Sequence, residues 1–159
     1  NEHKNGILRR SLAPAALPDA VINEGKAAVS ALAEALDLIG LLALETFVTE
    51  DNRLLFNEIV PRPHNSFHWS IEGCETSQFT QLIRAVAGLP LGGTSCYGTW
   101  QMDNLLGEDM GGIEALANKA GLHLHLYTPR LFCLLYCQRS SRKSHCLIEM
   151  QLPLRSRKK

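Results

Sequence analysis

The apolar and polar positions of this chain change period several times, and the changes outline its elements. Residues 6–15, GILRRSLAPA, mix apolar and basic side chains and stop at a proline, which predicts a short strand running into a turn. Over residues 17–40, LPDAVINEGKAAVSALAEALDLIG, the residues Val21, Ile22, Val29, Leu32 and Leu36 recur at roughly helical spacing between alanines. Pro18 suits the first turn, Asp19 complements the positive end of the helix dipole, and Gly40 suits the far end. The segment predicts an amphipathic packing helix with no chemistry of its own.

Residues 41–60, LLALETFVTEDNRLLFNEIV, are two apolar runs around a polar centre. Asp51-Asn52 suits a two-residue hairpin loop, because both residues tolerate left-handed backbone angles. That loop sets Glu45 directly opposite Glu58, on a face shared with Ala43, Phe47, Phe56 and Val60. Facing carboxylates repel, and apolar neighbours leave little water to screen them. One of the pair is protonated, an Arg or Lys serves both, or a divalent cation bridges them. A hard cation such as Mg²⁺ takes oxygen ligands, typically one or two carboxylates together with substrate phosphates.

The second run continues into NEIVPRPHNSFHW, residues 57–69, where Pro61 and Pro63 end sheet pairing and stiffen the chain. Arg62, His64 and Asn65 then project near Glu58, with Arg62 as an oxyanion fork and the other two as further donors. His68 and Trp69 read equally well as packing residues. Residues 76–92, TSQFTQLIRAVAGLPLG, predict a second helix. Thr76 or Ser77 caps it, Phe79, Leu82, Ile83 and Val86 form the buried stripe, and Gly88 with Pro90 ends it. WQMDNLLG predicts a strand, 113–121 a short helix, and the strict alternation of LHLHLY another strand. His123 and His125 share one face of that strand; solvent exposure is its first reading, although histidines at this spacing can also ligate a metal. The pattern as a whole predicts an α+β fold.

Composition adds a boundary. Apolar residues at 45% and charged residues at 20% place the chain among globular proteins, and its net charge of zero offers nothing to nucleic acid or a membrane surface. The charge is unevenly spread: residues 1–128 carry eight Lys/Arg against fifteen Asp/Glu, and residues 129–159 carry eight against one. Such a switch marks a change in kind, here to a basic tail with no sustained period and expected to be disordered. That tail alone could attract nucleic acid, but it lacks interleaved aromatics. Five cysteines at irregular spacing argue against a disulfide framework and for a reducing, cytoplasmic compartment, and Cys133, Cys137, His145 and Cys146 make only a weak zinc pattern. No signal peptide or membrane-spanning run is evident. The first residue is Asn and the chain opens mid-pattern, which reads as a piece lacking an N-terminal part.

The stretch FVTEDNRLLFNEIVPRPHNSFHWSIEGCETSQFTQLIRAVAGLPLG resembles the C-terminal part of the ATP-grasp domain of the N5-carboxyaminoimidazole ribonucleotide synthetases, the ATPase subunits of phosphoribosylaminoimidazole carboxylase. The similarity begins at NEHKNGIL and fades after LHLHLY; PRPHNS-x-HW followed by TSQF is its specific part. The alternative ligase, formate-dependent glycinamide ribonucleotide transformylase, typically has Asp after the His and lacks the His-Trp pair.

The resemblance implies a carbon–nitrogen ligase of purine biosynthesis that uses ATP and bicarbonate to form carboxyphosphate and then carboxylates 5-aminoimidazole ribonucleotide. Glu45 and Glu58 fall on the carboxylates that hold Mg²⁺ (or Mn²⁺) on the ATP phosphates. Asn57 adjoins them among cofactor-side positions, although alternation turns it to the opposite face. Arg62, His64 and Asn65 fall on catalytic and bicarbonate-site positions, with Ser66 beside them on the substrate side. The implied partners are ATP, bicarbonate and the aminoimidazole ribonucleotide, with a homodimer for the full-length protein and a plastid location if the source is a plant. The implied division is a C-terminal ATP-grasp part over 1–92, a partial β-rich domain over 93–128 and the atypical tail over 129–159.

Three departures stand out. Phe67 replaces the family's usual Gly. The family's adenine-gripping segments and phosphate-reaching lysines lie upstream of the matched region, so the chain alone is expected to be inactive, at most binding a divalent cation or an anion. After LHLHLY, TPRLFCLLYCQRSSRKSHCL stands where the family has a basic nucleotide-binding stretch, as a shifted reading frame or foreign terminus would produce.

Overall fold

The computed structural model describes residues 1–127, 132–138 and 148–154. In chain order its strands are β1 (Glu2–Lys4), β2 (Ile7–Ala13), β3 (Gly40–Val48), β4 (Leu54–Val60), β5 (Trp100–Leu106), β6 (Leu122–Tyr127), β7 (Phe132–Gln138) and β8 (Ile148–Leu154). The helices are α1 (Asp19–Ala35), α2 (Ser70–Gly73), α3 (Gln78–Val86) and α4 (Ile113–Ala117). Two antiparallel sheets result, ordered β1-β2-β5-β7-β6 and β4-β3-β8. The α+β expectation holds. Among the described residues no helix is long and apolar enough to cross a membrane.

The first strand is a hairpin, not the single strand expected. Asn5 (φ 55°) and Gly6 (φ 74°) both occupy the left-handed region, as a tight turn matched to strand twist requires. This turn sends β1 back along β2 and carries His3 toward β3.

α1 buries Val21, Gly25, Val29 and Ala33 at helical spacing, and Val29 and Ala33 pack on Leu42 and Leu44 of β3. It ends earlier than Gly40 suggested. Asp37 takes φ 45° and Leu38 N donates to Ala33 O at 3.1 Å, so the terminating left-handed residue is an aspartate. Gly40 instead opens β3 at φ 141°, a backbone conformation that side chains rarely adopt, beside Leu82 and Val86 of α3.

α3 also differs from its expected face. Ser77 caps it by accepting from Thr80 N, but the buried residues are Gln78, Gln81 and Ala85, while Ile83 and Val86 are exposed. The glutamines are inside because each satisfies loop backbone: Gln81 donates to Gly92 O at 2.7 Å and accepts from Gly92 N at 3.0 Å. A second core joins Leu8, Ala13, Trp69, Trp100 and Met102, with Phe67 packed against it.

Two strands fall within 129–159, where no regular structure was expected: β7 pairs along β5 and β6, and β8 pairs with β3 from Gly40 to Thr46. Of the weak zinc pattern, Cys133 and Cys137 lie in β7, whereas His145 and Cys146, like the basic clusters, fall outside the described residues.

Candidate metal and anion site

β3 and β4 do place Glu45 opposite Glu58, for a reason the two-residue loop misses. Val48 pairs with Leu54, Thr49 N donates to Arg53 O at 3.0 Å, and Asn52 takes φ 62°, so three residues, Glu50 to Asn52, form the loop. Taken alone, that loop would set Glu45 opposite Asn57. A bulge between Glu45 and Thr46 in the pairing leaves Asn57 unpaired on β4 and restores Glu58 to the facing position.

The bulge redirects Asn57, correcting the alternation reading. Its Nδ2 donates to Glu45 Oε2 at 2.8 Å, so Asn57 lies on the site's side of the hairpin. The carboxylates differ in surroundings: Glu45 is 5% exposed, whereas the Glu58 side chain is 48% exposed. Phe47 and Phe56 are also open to solvent, so the screening expected to be absent is available on the Glu58 side.

Beyond β4, His64 closes the group. Its Nε2 lies 2.8 Å from Glu58 Oε1 and its Nδ1 3.1 Å from Ser66 Oγ. Gln78 holds the histidine's backbone from behind, accepting from His64 N and donating to His64 O, both at 2.9 Å. Gln78 is 3% exposed, and its own N–H donates to Ser70 Oγ at 3.1 Å. It is the positioning residue that sequence reasoning missed, because a glutamine on a helix face gives no period to detect. His3 was missed as well; its Nε2 stands 3.7 Å from Glu45 Oε1, and Asn5-Gly6 was the available signal for the turn that carries it there.

The proline-rich loop divides its residues unequally. Asn65 joins His3, Gly6, Leu8, Glu45, Phe47, Asn57, Glu58 and His64 around a cleft of about 430 Å³. Arg62 does not line it; the guanidinium folds back to donate to Pro63 O at 2.9 Å. Ser66 is 2% exposed behind His64, so it orients the imidazole and is not open to a substrate. His68 packs between Phe79 and Tyr127, with ring centroids at 5.0 and 5.5 Å. Burial among these rings pushes its pKa down to about 4, which keeps it neutral. Phe67 lies in a single 3-10 turn without a positive φ and stacks at 4.8 Å on Trp69, so the ring costs no backbone strain.

Glu45, Glu58 and His64 each offer a ligand atom, and the three atoms lie within 4.8 Å of one another. Glu45 Oε1 is buried and has no hydrogen-bond partner among the described residues. A buried carboxylate oxygen left in that state is costly unless a cation completes it, so two carboxylates and an imidazole beside an open cleft fit a divalent ion. Glu45 and Glu58 would hold it, with His64 orienting Glu58 and serving as a third donor only on releasing Nε2 from that carboxylate.

The strand His face is only partly solvated: β6 lies at a sheet edge and the His123 side chain is 42% exposed, but His123 Nδ1 and His125 Nε2 also approach the two oxygens of Glu72 on α2 at 3.4 and 3.1 Å. Leu126, from the face expected to be buried, is 65% exposed.

Comparison with known proteins sets these residues in context. Residues 1–79 match the ATP-grasp domain family. An N5-carboxyaminoimidazole ribonucleotide synthase of Brucella melitensis is 46% identical over 127 residues, covering 80% of this chain and 35% of the relative. The crystal structure of the Thermus thermophilus N5-carboxyaminoimidazole ribonucleotide synthetase is 44% identical with a TM-score of 0.79, covering 87% of this chain and 40% of that one. The Aspergillus clavatus synthase in complex with ADP and 5-aminoimidazole ribonucleotide also superposes with a TM-score of 0.79, at 26% identity and the same coverage. The chain thus spans about a third of the length of the bacterial relatives it matches. At these identities over four-fifths of its length, the chain belongs to the N5-carboxyaminoimidazole ribonucleotide synthase family of ATP-grasp ligases.

Proposed function

We propose that this chain supplies the metal-holding and acceptor side of a site for ATP-dependent carboxylation of 5-aminoimidazole ribonucleotide by bicarbonate through carboxyphosphate. The observation that carries this reading is the buried Oε1 of Glu45, which has no hydrogen bond among the described residues and only the His3 imidazole at 3.7 Å, set beside Glu58 and His64 at the edge of an open cleft. A bound Mg²⁺ would neutralise charge on the transferring phosphoryl group. Glu45 is fixed from one side by Asn57, which leaves its free oxygen aimed by the bulge and not by a flexible rotamer. His64, held at its backbone by Gln78 and at Nδ1 by Ser66, presents Nε2 to Glu58 and fixes that carboxylate's orientation. Asn65 lines the cleft, where its amide donates to a bicarbonate oxygen and holds the acceptor close to the reacting phosphate. Arg62 reaches the anion only after leaving Pro63 O, a rotation that an arriving charge would favour.

The chain spans only about a third of the length of these bacterial relatives, so its reading is best tested within one of them. The test is therefore a chimera in which residues 1–127 replace the matching segment of the Brucella melitensis relative. Phosphate release from ATP that requires bicarbonate and the aminoimidazole ribonucleotide, and that falls by about 100-fold or more in Glu58→Gln, is the expected result. A folded, ATP-binding chimera whose turnover ignores Glu58 would overturn the assignment.

A further inference from the structure

Cys74 and Cys96 face each other across an isolated antiparallel bridge away from the cleft. Glu75 N donates to Ser95 O at 2.8 Å and Tyr97 N to Gly73 O at 2.7 Å, which brackets the two cysteines with backbone hydrogen bonds. They therefore occupy the non-hydrogen-bonded position of the ladder, where facing Cα atoms and side chains approach most closely. Their sulfurs are 3.0 Å apart.

Backbone, and not side-chain chance, sets this approach. A Cβ added at Gly73 would come within 2.7 Å of Trp69 and 2.8 Å of Trp100, and one at Gly92 or Gly93 would collide with Thr76 or Glu75. Gln81 grips Gly92 through both its N–H and its carbonyl. The close approaches at Gly73 and Gly92, with the Gln81 clasp, thus set residues 73–76 against 92–97 at a separation that suits a disulfide; the Gly93 contact is only with the flexible end of Glu75.

We propose that Cys74 and Cys96 are a thiol modification site that closes reversibly into a disulfide, with a low-molecular-weight disulfide of the glutathione class as oxidant. Cys96 is the exposed member and Cys74 the half-buried one. Hydrogen bonding from Cys74 lowers the Cys96 pKa to about 7, while the same contact and burial raise that of Cys74. The Cys96 thiolate attacks one sulfur of the oxidant; the oxidant's S–S bond breaks and one small thiolate leaves. Cys74 then loses its proton to solvent and attacks the Cys96 sulfur, expelling the second small thiolate. Two protein thiols are oxidised to one disulfide, and the oxidant is reduced to two thiols. The bridge closes the loop that carries α3, and with it Gln78 behind His64.

The test is a series of glutathione redox buffers applied to the full chain, followed by alkylation, digestion and mass mapping of all five cysteines. The expected result is a linked peptide joining Cys74 to Cys96 that appears on oxidation and disappears on reduction. In Cys74→Ser, a glutathione adduct should accumulate on Cys96; in Cys96→Ser, Cys74 should gain its adduct more slowly. Cys74 and Cys96 remaining alkylatable in the most oxidising buffer, or linking to other cysteines, would overturn the proposal. Faster adduct formation at Cys74 would overturn the order of attack. Wild-type mapping carries the main result, so misfolding of a variant does not remove the test.

Discussion

Two clusters in this molecule set histidine against glutamate, and they are built to opposite ends. At Glu72, both carboxylate oxygens meet an imidazole, from His123 and His125, and the side chain remains 29% exposed. At Glu45, one oxygen takes the Asn57 amide while the other is buried without a hydrogen bond among the described residues, the His3 imidazole standing off at 3.7 Å and a second carboxylate facing it. The first is a completed imidazole–carboxylate network that ties β6 to α2. The second is incomplete as protein chemistry, and the missing part has the sign and hardness of a divalent cation. Unfinished hydrogen bonding distinguishes the two; residue type does not.

The comparison breaks first at its scaffold. Gln78→Leu strands the part-buried N–H of His64 and leaves its C=O with the His68 ring alone, and should lower unfolding free energy by about 2 kcal/mol in denaturant titration. Next, the carboxylates should respond with opposite signs in metal-free buffer. Glu45→Gln relieves the repulsion between facing carboxylates at a buried oxygen without a hydrogen bond and should raise stability by about 1 kcal/mol. Glu72→Gln removes one partner of a partly exposed pair and should lower stability by at most about 1 kcal/mol. A loss of stability in both variants would mean that Glu45 is already satisfied.

The smallest effect belongs to His68. Its folded pKa of about 4 lies below the ordinary 6.5, so between these values the unfolded chain binds a proton that the folded chain refuses. Its contribution is complete above about pH 6.5 and is lost as pH falls toward about 4. Melting temperature should therefore drop over that window, with a shallower slope in His68→Asn.

Much of this was legible from residue patterns, and the failures share a cause. The facing of Glu45 and Glu58 was read correctly from a loop one residue too short, because the bulge at Asn57 restored the register. A bulge leaves no mark on apolar alternation, so the side on which Asn57 would fall could not be read. α3 was placed correctly but its face was misassigned, since Gln78 and Gln81 are buried by backbone partners distant in sequence. Arg62 and Ser66 were chosen by chemistry and neighbourhood; rotamer and burial then directed one outward and the other behind His64. The irregular cysteine spacing likewise hid Cys74 and Cys96, which meet only through a bridge between loops.

The central claim, that the Glu45 cluster is a cation site and the Glu72 cluster is not, is tested most directly by Mn²⁺ titration of the chain followed by water-proton relaxation. The account predicts one site that weakens by about 100-fold in Glu45→Gln and stays within about twofold in Glu72→Gln. Equal binding by wild type and Glu45→Gln, or loss of the site in Glu72→Gln, would contradict it.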